Sequence, residues 1–221
     1  MAAPLPIGLI LAGGRGSRFG GTDKAWLRLH GQPLLCHCWQ TLGEQVQTIV
    51  VASQRHRWAY RRLGIQLIDD HAAAPGHGPL AAIAGALARW PQRRIAVLPV
   101  DAPFAPADYV ARLDAVLGPD VPAAAVFDGQ RRQPLFALVS GQLAAHAVQA
   151  LQAPVLPSMR RWLDDVGAIW VDFSDAVVDL QGDPKSGSEL PRGLTRGAFA
   201  NINTPADLDR LARLMSEDTD G

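Results

Sequence analysis

The sequence has no excess of charge of either sign. Lysine plus arginine and aspartate plus glutamate both number 21, so the formal net charge is zero. Sequence-independent binding to nucleic acid needs a large basic surface, which a neutral chain of this size lacks. We therefore expect no nucleic-acid partner, and any anionic ligand must be held by a local cluster of basic side chains.

Cysteine is almost absent, and the two cysteines present are Cys36 and Cys38. Residues two apart on a helix face nearly opposite sides, so this pair cannot jointly hold a metal ion. The pair is also too close in sequence for a useful disulfide. We interpret both as small buried residues in a reducing compartment.

No apolar run reaches the length that a bilayer span requires. The first residues, Met1–Pro6, carry no basic region of the kind that opens a signal peptide. These two absences predict a cytoplasmic protein without membrane contact. A chain of 221 residues fits a single domain, 1–221, with a large core.

Apolar runs rich in β-branched residues alternate with amphipathic runs along the chain. This alternation is typical of βαβ units and predicts a Rossmann-like three-layer α/β/α fold with a mainly parallel sheet. The expected strands are Ile7–Ala12, Thr48–Ala52, Gln66–Asp69, Arg94–Val100, Ala123–Phe127, Leu135–Val139 and Ala168–Phe173. The expected helices are Gln32–Leu42, Arg57–Leu63, Pro79–Trp90, Pro106–Leu117, Gly141–Leu151, Met159–Val166 and Thr204–Met215. Residues 180–197 have linker composition and no apolar period, which predicts a flexible surface insertion.

A glycine-rich, basic loop follows the first expected strand. Its glycines and basic residues are Gly13, Gly14, Gly16, Gly20, Gly21, Arg15, Arg18 and Lys24. Because glycine has no side chain, the backbone N–H groups of such a loop are free to converge on an anion. The loop therefore predicts a phosphate site, with an ordinary tight turn as the alternative.

The loop departs from two well-known phosphate-binding patterns. A P-loop places Ser or Thr directly after a Gly-Lys pair, but Lys24 follows Asp23 and precedes Ala25. The Rossmann dinucleotide fingerprint has its third glycine where Phe19 stands, and its second strand ends in an acid that this chain lacks. These departures argue against a P-loop nucleotidase and against an NAD-dependent oxidoreductase.

Two later expected strands end in carboxylates, Asp70 after Gln66–Asp69 and Asp101 after Arg94–Val100. Ligands of open α/β sheets bind beyond the carboxyl ends of the strands, so both residues should share a rim with the glycine loop. Asp101 is suited to hold Mg²⁺, and the loop Pro75–Leu80 after Asp70 can wrap a base or a ribose. The alternatives are a helix cap for Asp101 and a capped turn for Asp70.

Such a rim suits attack by one phosphate on the α-phosphate of a nucleoside triphosphate. Both reactants are anionic, so the reaction needs clamped cations and aligned dipoles more than it needs a general base. Arg18 and Lys24 are the candidate cations, and Asp101 is the candidate metal ligand.

Five short motifs occur between Ile7 and Leu214. They are the glycine loop with its Asp-Lys-Ala ending, Gly78–Ala81, Pro99–Pro103, Gln133–Leu138 and Phe199–Pro205. In content and order they resemble the molybdenum cofactor guanylyltransferase (MobA) family, a group with the nucleotidyltransferase fold. The Asp-Lys-Ala ending and the Asn-x-Asn-Thr-Pro tail are the more specific of these signals.

The resemblance implies Mg²⁺-dependent transfer of GMP from GTP to the terminal phosphate of molybdopterin or Mo-molybdopterin, with release of pyrophosphate. By position it implies catalytic roles for Arg18, Lys24 and Asp101, with Asp101 also on the metal. The implied nucleotide contacts are Leu11, Ala12, Gly13, Gly14, Lys24, Asp70 and Asp101. Asn201 and Asn203 would lie on the molybdopterin side. Transient contact with molybdenum cofactor delivery proteins or acceptor enzymes is also implied.

The chain departs from the family pattern beside the expected base site. Family members often carry asparagine just after the second strand, where this chain has Ala52, Ser53 and Gln54, and glycine where it has Ala82. Two alternatives to guanylyl transfer therefore stay open. One is a cytidylyl- or sugar-phosphate nucleotidyltransferase, and the other is a non-catalytic nucleotide-binding module.

Overall fold

The computed structural model describes residues 4–13, 22–176 and 198–216. Its strands are β1 (Ile7–Leu11), β2 (Arg28–Leu29), β3 (Gln32–Pro33), β4 (Thr48–Ala52), β5 (Leu67–Ile68), β6 (Arg94–Pro99), β7 (Ala123–Phe127), β8 (Arg132–Ser140) and β9 (Ile169–Asp172). Its helices are α1 (Leu34–Gly43), α2 (Arg57–Arg62), α3 (Pro79–Arg89), α4 (Tyr109–Asp114), α5 (Ala144–Leu151), α6 (Met159–Asp165) and α7 (Pro205–Ser216). The expected insertion at 180–197 lies outside the described residues.

The main sheet has seven strands in the order β5-β4-β1-β6-β8-β7-β9. Strand β1 lies between β4 and β6 and pairs in parallel with both, and β5 extends this parallel half. Strand β8 runs antiparallel to its neighbours β6 and β7, and β9 is parallel to β7. The expected mainly parallel sheet is thus confirmed, with one antiparallel strand inserted in its second half.

Two hydrophobic cores cover the two faces of the sheet. Side chains of α1, α2, α4 and α7 contribute to one core, and those of α3, α5 and α6 to the other. In β6, Ile95 and Val97 belong to one core while Ala96 and Leu98 belong to the other. A strand buried on both faces reads as a continuous apolar run, which is why β6 was recognisable from sequence. The three-layer α/β/α arrangement is confirmed.

Helix α1 begins later than its sequence pattern predicts. Gln32 and Pro33 pair with Arg28 and Leu29 in the β2–β3 hairpin, so the helix begins at Leu34. The hairpin turn His30-Gly31 has positive φ values of 48° and 76°. That backbone geometry is typical of two-residue hairpin turns, and the apolar period of α1 hid it.

Other element boundaries also moved. The expected helix Pro106–Leu117 is only Tyr109–Asp114, because the carbonyl of Pro106 accepts a turn bond from the N–H of Tyr109 at 3.0 Å. The expected strand Leu135–Val139 extends to Arg132–Ser140 through its pairing with β7. Gly141–Leu143 form a 3₁₀ turn before α5.

The expected cap of the last helix is present. The hydroxyl of Thr204 accepts a hydrogen bond from the N–H of Asp207 at 3.2 Å. The carboxylate of Asp207 accepts in return from the N–H groups of Asn203 and Thr204 at 2.9 and 2.8 Å. This reciprocal capping box fixes the chain that enters α7.

The two cysteines have different surroundings. Cys38 is buried in α1, but Cys36 is exposed, so the expectation that both are buried was wrong for Cys36. Their spacing on the helix puts them on different faces. Burial, together with the nearby charge of Asp101, raises the pKa of the Cys38 thiol well above its ordinary value.

Among the described helices, none is both long and apolar enough to cross a bilayer.

Gly85 provides a test of how α3 packs against the end of β5. A methyl group at this position would lie 2.1 Å from the carbonyl oxygen of Asp69. We predict that Gly85→Ala lowers the free energy of unfolding by about 1–3 kcal/mol, because the helix must move away from the chain that leads to Asp70. Urea denaturation measures the change.

The matched control is Gly43→Ala at the end of α1, where the described part of the chain places no atom within 4 Å of the added methyl group. Because alanine favours helix, we expect this variant to be unchanged or stabilised by at most about 1 kcal/mol. Equal unfolding midpoints for Gly85→Ala and the wild type would contradict the close approach.

Candidate active site

A cleft of about 370 Å³ opens at the carboxyl ends of β1, β4, β5 and β6. Its lining includes backbone from the parallel half of the sheet and side chains from the loops that follow these strands. The lining residues are Leu11, Gly13, Lys24, Ala52, Ser53, Gln54, Asp70, Gly76, Gly78, Pro79, Ala82, Pro99, Val100, Asp101 and Leu135. This is the edge where open α/β sheets bind their ligands.

The chain leaves β1 between its two neighbours in the sheet. The N–H of Ala12 donates to Ala52 at 2.9 Å, and the N–H of Val100 donates to Leu11 at 3.0 Å. Leu11 and Gly13 then line the cleft, whereas Ala12 is buried in a core. Among the residues that the structure describes, no atom lies within 4 Å of a methyl group built on Gly13. The other two predicted loop residues, Gly14 and Arg18, lie outside the described residues.

Lys24 is the centre of the polar contacts in the cleft. Its ammonium donates to Asp101 Oδ2 and to the carbonyl of Ile202, both at 2.9 Å, and to Asn203 Oδ1 at 3.3 Å. An ammonium has three N–H donors, so all three have an acceptor. The structure therefore brings together three residues that the sequence analysis singled out, Lys24, Asp101 and Asn203.

The segment that carries the two predicted asparagines is attached directly to the end of β6. The N–H of Ile202 donates to the carbonyl of Asp101 at 2.6 Å, and the N–H of Phe199 donates to that of Phe104 at 3.0 Å. Phe199 has a φ of +62° and packs edge-on against Phe136 at a centroid distance of 4.8 Å. Burial of the aromatic ring favours this uncommon backbone geometry. Asn201, two residues further on, is partly buried and is not among the described residues that line the cleft.

Asp70 stands on the opposite wall of the cleft. Its Oδ2 accepts a hydrogen bond from the N–H of Gly76 at 2.8 Å. Gly76 and Gly78 both have positive φ, near 77° and 80°, and α3 begins at the next residue, Pro79. The carboxylate thus braces the loop that lines the cleft and keeps further acceptor capacity for a ligand.

The residues after β4, Ser53 and Gln54, form part of the cleft lining beside the expected base site. The hydroxyl of Ser53 donates to the carbonyl of Arg55 at 3.0 Å and accepts from its N–H at 3.3 Å. Ser53 is therefore occupied by its own turn, and the exposed Gln54 is the longer polar side chain at this wall. Leu135 of β8 also lines the cleft. The sequence analysis included it in the motif Gln133–Leu138 but gave it no role, because an apolar side chain carries no chemistry of its own.

Asp101 stands alone as a candidate metal ligand. Within residues 4–13, 22–176 and 198–216 no group of three or more His, Cys, Asp or Glu side chains converges as a metal centre would. A Mg²⁺ site does not require such a cluster, because Mg²⁺ binds through one or two carboxylates together with substrate phosphates.

Comparison with solved structures identifies the fold. Molybdopterin-guanine dinucleotide biosynthesis protein A from Archaeoglobus fulgidus superposes with a TM-score of 0.71 at 22% identity, over 96% of this chain and 99% of that one. At this identity the likeness shows the fold alone, and that fold is the nucleotidyltransferase fold expected from the sequence.

Sequence comparison identifies the family to which the chain belongs. Residues 8–168 match the MobA-like NTP transferase domain. Proteins named molybdenum cofactor guanylyltransferase from Pasteurella multocida and from Cupriavidus metallidurans are each 34% identical to this chain. The first alignment covers 90% of this chain and 95% of the relative, and the second 95% and 94%. The chain belongs to the MobA-like NTP transferase family.

The ion pair between Lys24 and Asp101 can be tested by its effect on stability. Their side chains are 13% and 28% exposed. We predict that a double-mutant cycle with Lys24→Met and Asp101→Asn gives a coupling energy of about 1 kcal/mol in urea denaturation at low salt.

The control cycle uses Arg161→Met and Asp165→Asn, an exposed pair one helical turn apart. Its coupling should be only about 0.3–0.5 kcal/mol. If the effects of Lys24→Met and Asp101→Asn simply add, the ion pair makes no net contribution to stability, which would contradict this prediction.

Proposed function

We propose that this protein transfers GMP from GTP to the terminal phosphate of molybdopterin or Mo-molybdopterin and releases pyrophosphate. Membership of the MobA-like family and the names of relatives that align over nearly the whole chain support the proposal. The geometric observation that carries it is the contact of Lys24 with both Asp101 and Asn203. This contact joins the proposed phosphate-binding edge of the sheet, at Asp101, to the segment around Asn203 that is proposed to face the pterin.

The nucleotide half of the site is proposed to use the parallel end of the sheet. The backbone at Gly13 and the ammonium of Lys24 provide N–H donors for phosphate oxygens. Across the cleft, the carboxylate of Asp70 accepts from Gly76 and can accept further from N–H or O–H groups of a base or ribose. The proposed nucleotide contacts remain Leu11, Ala12, Gly13, Gly14, Lys24, Asp70 and Asp101.

The proposed reaction is an in-line displacement at the α-phosphate of GTP. An oxygen of the pterin phosphate forms the new P–O bond, and the bond to the β-phosphate breaks so that pyrophosphate leaves with its electron pair. The attacking oxygen is already anionic, so no side chain has to remove a proton. Lys24 offsets the charge that two anions bring together, and Arg18 is proposed to assist it.

Asp101 fits the ligand set of Mg²⁺ as a single carboxylate beside the place proposed for the phosphates. When bound, Mg²⁺ would neutralise phosphate charge. Because Asp101 Oδ2 already contacts Lys24 at 2.9 Å, the lysine keeps that carboxylate paired in the free protein. With Mg²⁺ bound, Asp101 would hold the metal and Lys24 would donate to phosphate oxygens instead.

The acceptor half is proposed to lie along Asn201 and Asn203. Both short amides precede α7, whose start is fixed by the capping box at Thr204 and Asp207. An amide offers donors and acceptors together, which suits a polar pterin ring. The attachment of this segment at Ile202 to the end of β6 supports the placement of the acceptor beside Asp101.

The proposed preference for guanine depends on the part of the cleft lined by Ala52, Gln54 and Ala82. We predict that pyrophosphate release in the presence of Mg²⁺ and molybdopterin is fastest with GTP when the four nucleoside triphosphates are compared. Faster release with CTP would support a cytidylyltransferase instead. Nucleotide binding without pyrophosphate release would support a non-catalytic module.

The role proposed for Asp101 predicts a large kinetic effect. Asp101→Ala should lower the rate of GMP transfer by about 10²–10³, the usual loss when one charge-stabilising group is removed. Steady-state pyrophosphate release measures it. Asp165→Ala removes an exposed carboxylate on α6 and should stay within a few-fold of wild type. An Asp101→Ala rate in that same range would exclude the metal role.

A further inference from the structure

The residue before Lys24 is a buried carboxylate. Asp23 is only 2% exposed. Its Oδ1 accepts a hydrogen bond from the N–H of Ala25 at 3.1 Å and so caps the 3₁₀ turn Lys24–Trp26. A buried carboxylate is costly unless hydrogen bonds replace those it made with water. The other oxygen of Asp23 therefore needs a donor.

Tyr60 of α2 supplies that donor. Its hydroxyl donates to Asp23 Oδ2 at 3.2 Å, and its side chain is fully buried. The partly exposed His56 also lies near this oxygen, with Nδ1 at 3.5 Å. Burial and the negative charge of Asp23 raise the pKa of Tyr60 well above its ordinary value, so the hydroxyl keeps the proton that it donates.

The same tyrosine also contacts the other end of the turn. The rings of Tyr60 and Trp26 pack at a centroid distance of 5.0 Å. Ala25, the middle residue of the turn, is completely buried. The 3₁₀ turn is thus held at the N–H of Ala25 by the Asp23 carboxylate and at its last residue by a ring contact, and Lys24 extends from it to Asp101.

We propose that Tyr60 is a positioning residue for Lys24: its hydroxyl, acting through Asp23, fixes the turn from which the ammonium reaches the reacting phosphates. Tyr60 is not among the described residues that line the cleft, so we propose no direct contact with substrate. The effect on the reaction rests on the proposed function, whereas the effect on Lys24 does not. The sequence marked Asp23 only as part of a motif and did not mark Tyr60.

Tyr60→Phe is the direct test, because it removes the hydroxyl and keeps the ring that packs on Trp26. A displacement of a catalytic group by about 1 Å can cost as much as 10²-fold in rate, and we expect a loss of about tenfold in kcat. Because Lys24 is proposed to act on charge in the transition state, kcat and kcat/KM should fall together while KM for GTP changes little.

The chain offers a matched control in its only other tyrosine. Tyr109 of α4 is also fully buried, and its hydroxyl donates to the carbonyl of Val97 at 2.6 Å. Tyr109→Phe removes a buried hydrogen bond of the same kind without contact to Asp23. We expect a comparable loss of stability with kcat within about twofold of wild type. Equal kinetic effects of the two substitutions would overturn the proposal.

A double variant that also carries Lys24→Met separates an effect on the position of Lys24 from a general loss of stability. In Lys24→Met there is no ammonium to position, so adding Tyr60→Phe should leave the residual kcat unchanged. A further tenfold loss in that background would mean that Tyr60 acts by another route. Should Tyr60→Phe fail to fold, Asp23→Asn interrupts the same connection and is expected to give the same kinetic pattern.

Lysine content permits a readout that does not depend on activity. The chain has two lysines, Lys24 and Lys185. With ¹⁵N-lysine, the hydrogen-bonded ammonium of Lys24 should give a slowly exchanging Nζ signal, assigned by its loss in Lys24→Met. We expect Tyr60→Phe to broaden or shift this signal and Tyr109→Phe to leave it. An unchanged signal would overturn the positioning role, whereas a wild-type protein that releases no pyrophosphate would overturn only the proposed function.

Discussion

The ion pair between Lys24 and Asp101 is the contact on which the geometry of the cleft depends. Together with the bonds from Lys24 to Ile202 and Asn203, it joins the loop after β1, the end of β6 and the segment before α7. Without the ammonium of Lys24, the acceptor groups of Asp101, Ile202 and Asn203 would lose this shared donor. Because the ammonium has three donors and uses all of them on different acceptors, one side chain sets the distance between the two halves of the site.

The sheet explains why those segments meet at all. Parallel strands β1, β4, β5 and β6 direct their carboxyl ends to one edge, and the loops there carry the polar residues. The antiparallel strand β8 then reverses direction, so its first half, which includes Leu135, comes back to the same edge as the end of β6. The cleft is therefore lined by the loops that follow the parallel strands and by Leu135 of β8.

Local patterns were enough to predict the strands that are buried on both faces. Arg94–Val100 was recognised because an apolar run ends in Asp101, and the structure places that run between two cores. Patterns were less informative where a helix period continues through a turn, as at Gln32–Pro33, or where a cysteine such as Cys36 lies on the exposed side of an apolar helix. At Gln32–Pro33 the deciding contact was a local hairpin with Arg28–Leu29, and at Cys36 it was contact with solvent.

The sequence by itself determined the class of site: a glycine loop after the first strand, Lys24 beside it, and carboxylates at the ends of two later strands. Local propensity and strand direction suffice for this, because both act over neighbouring residues. Only the tertiary structure decided that Lys24 pairs with Asp101 and that Tyr60 donates to Asp23. These hydrogen bonds join residues that are 77 and 37 positions apart, so their geometry depends on the packing of whole elements around the sheet.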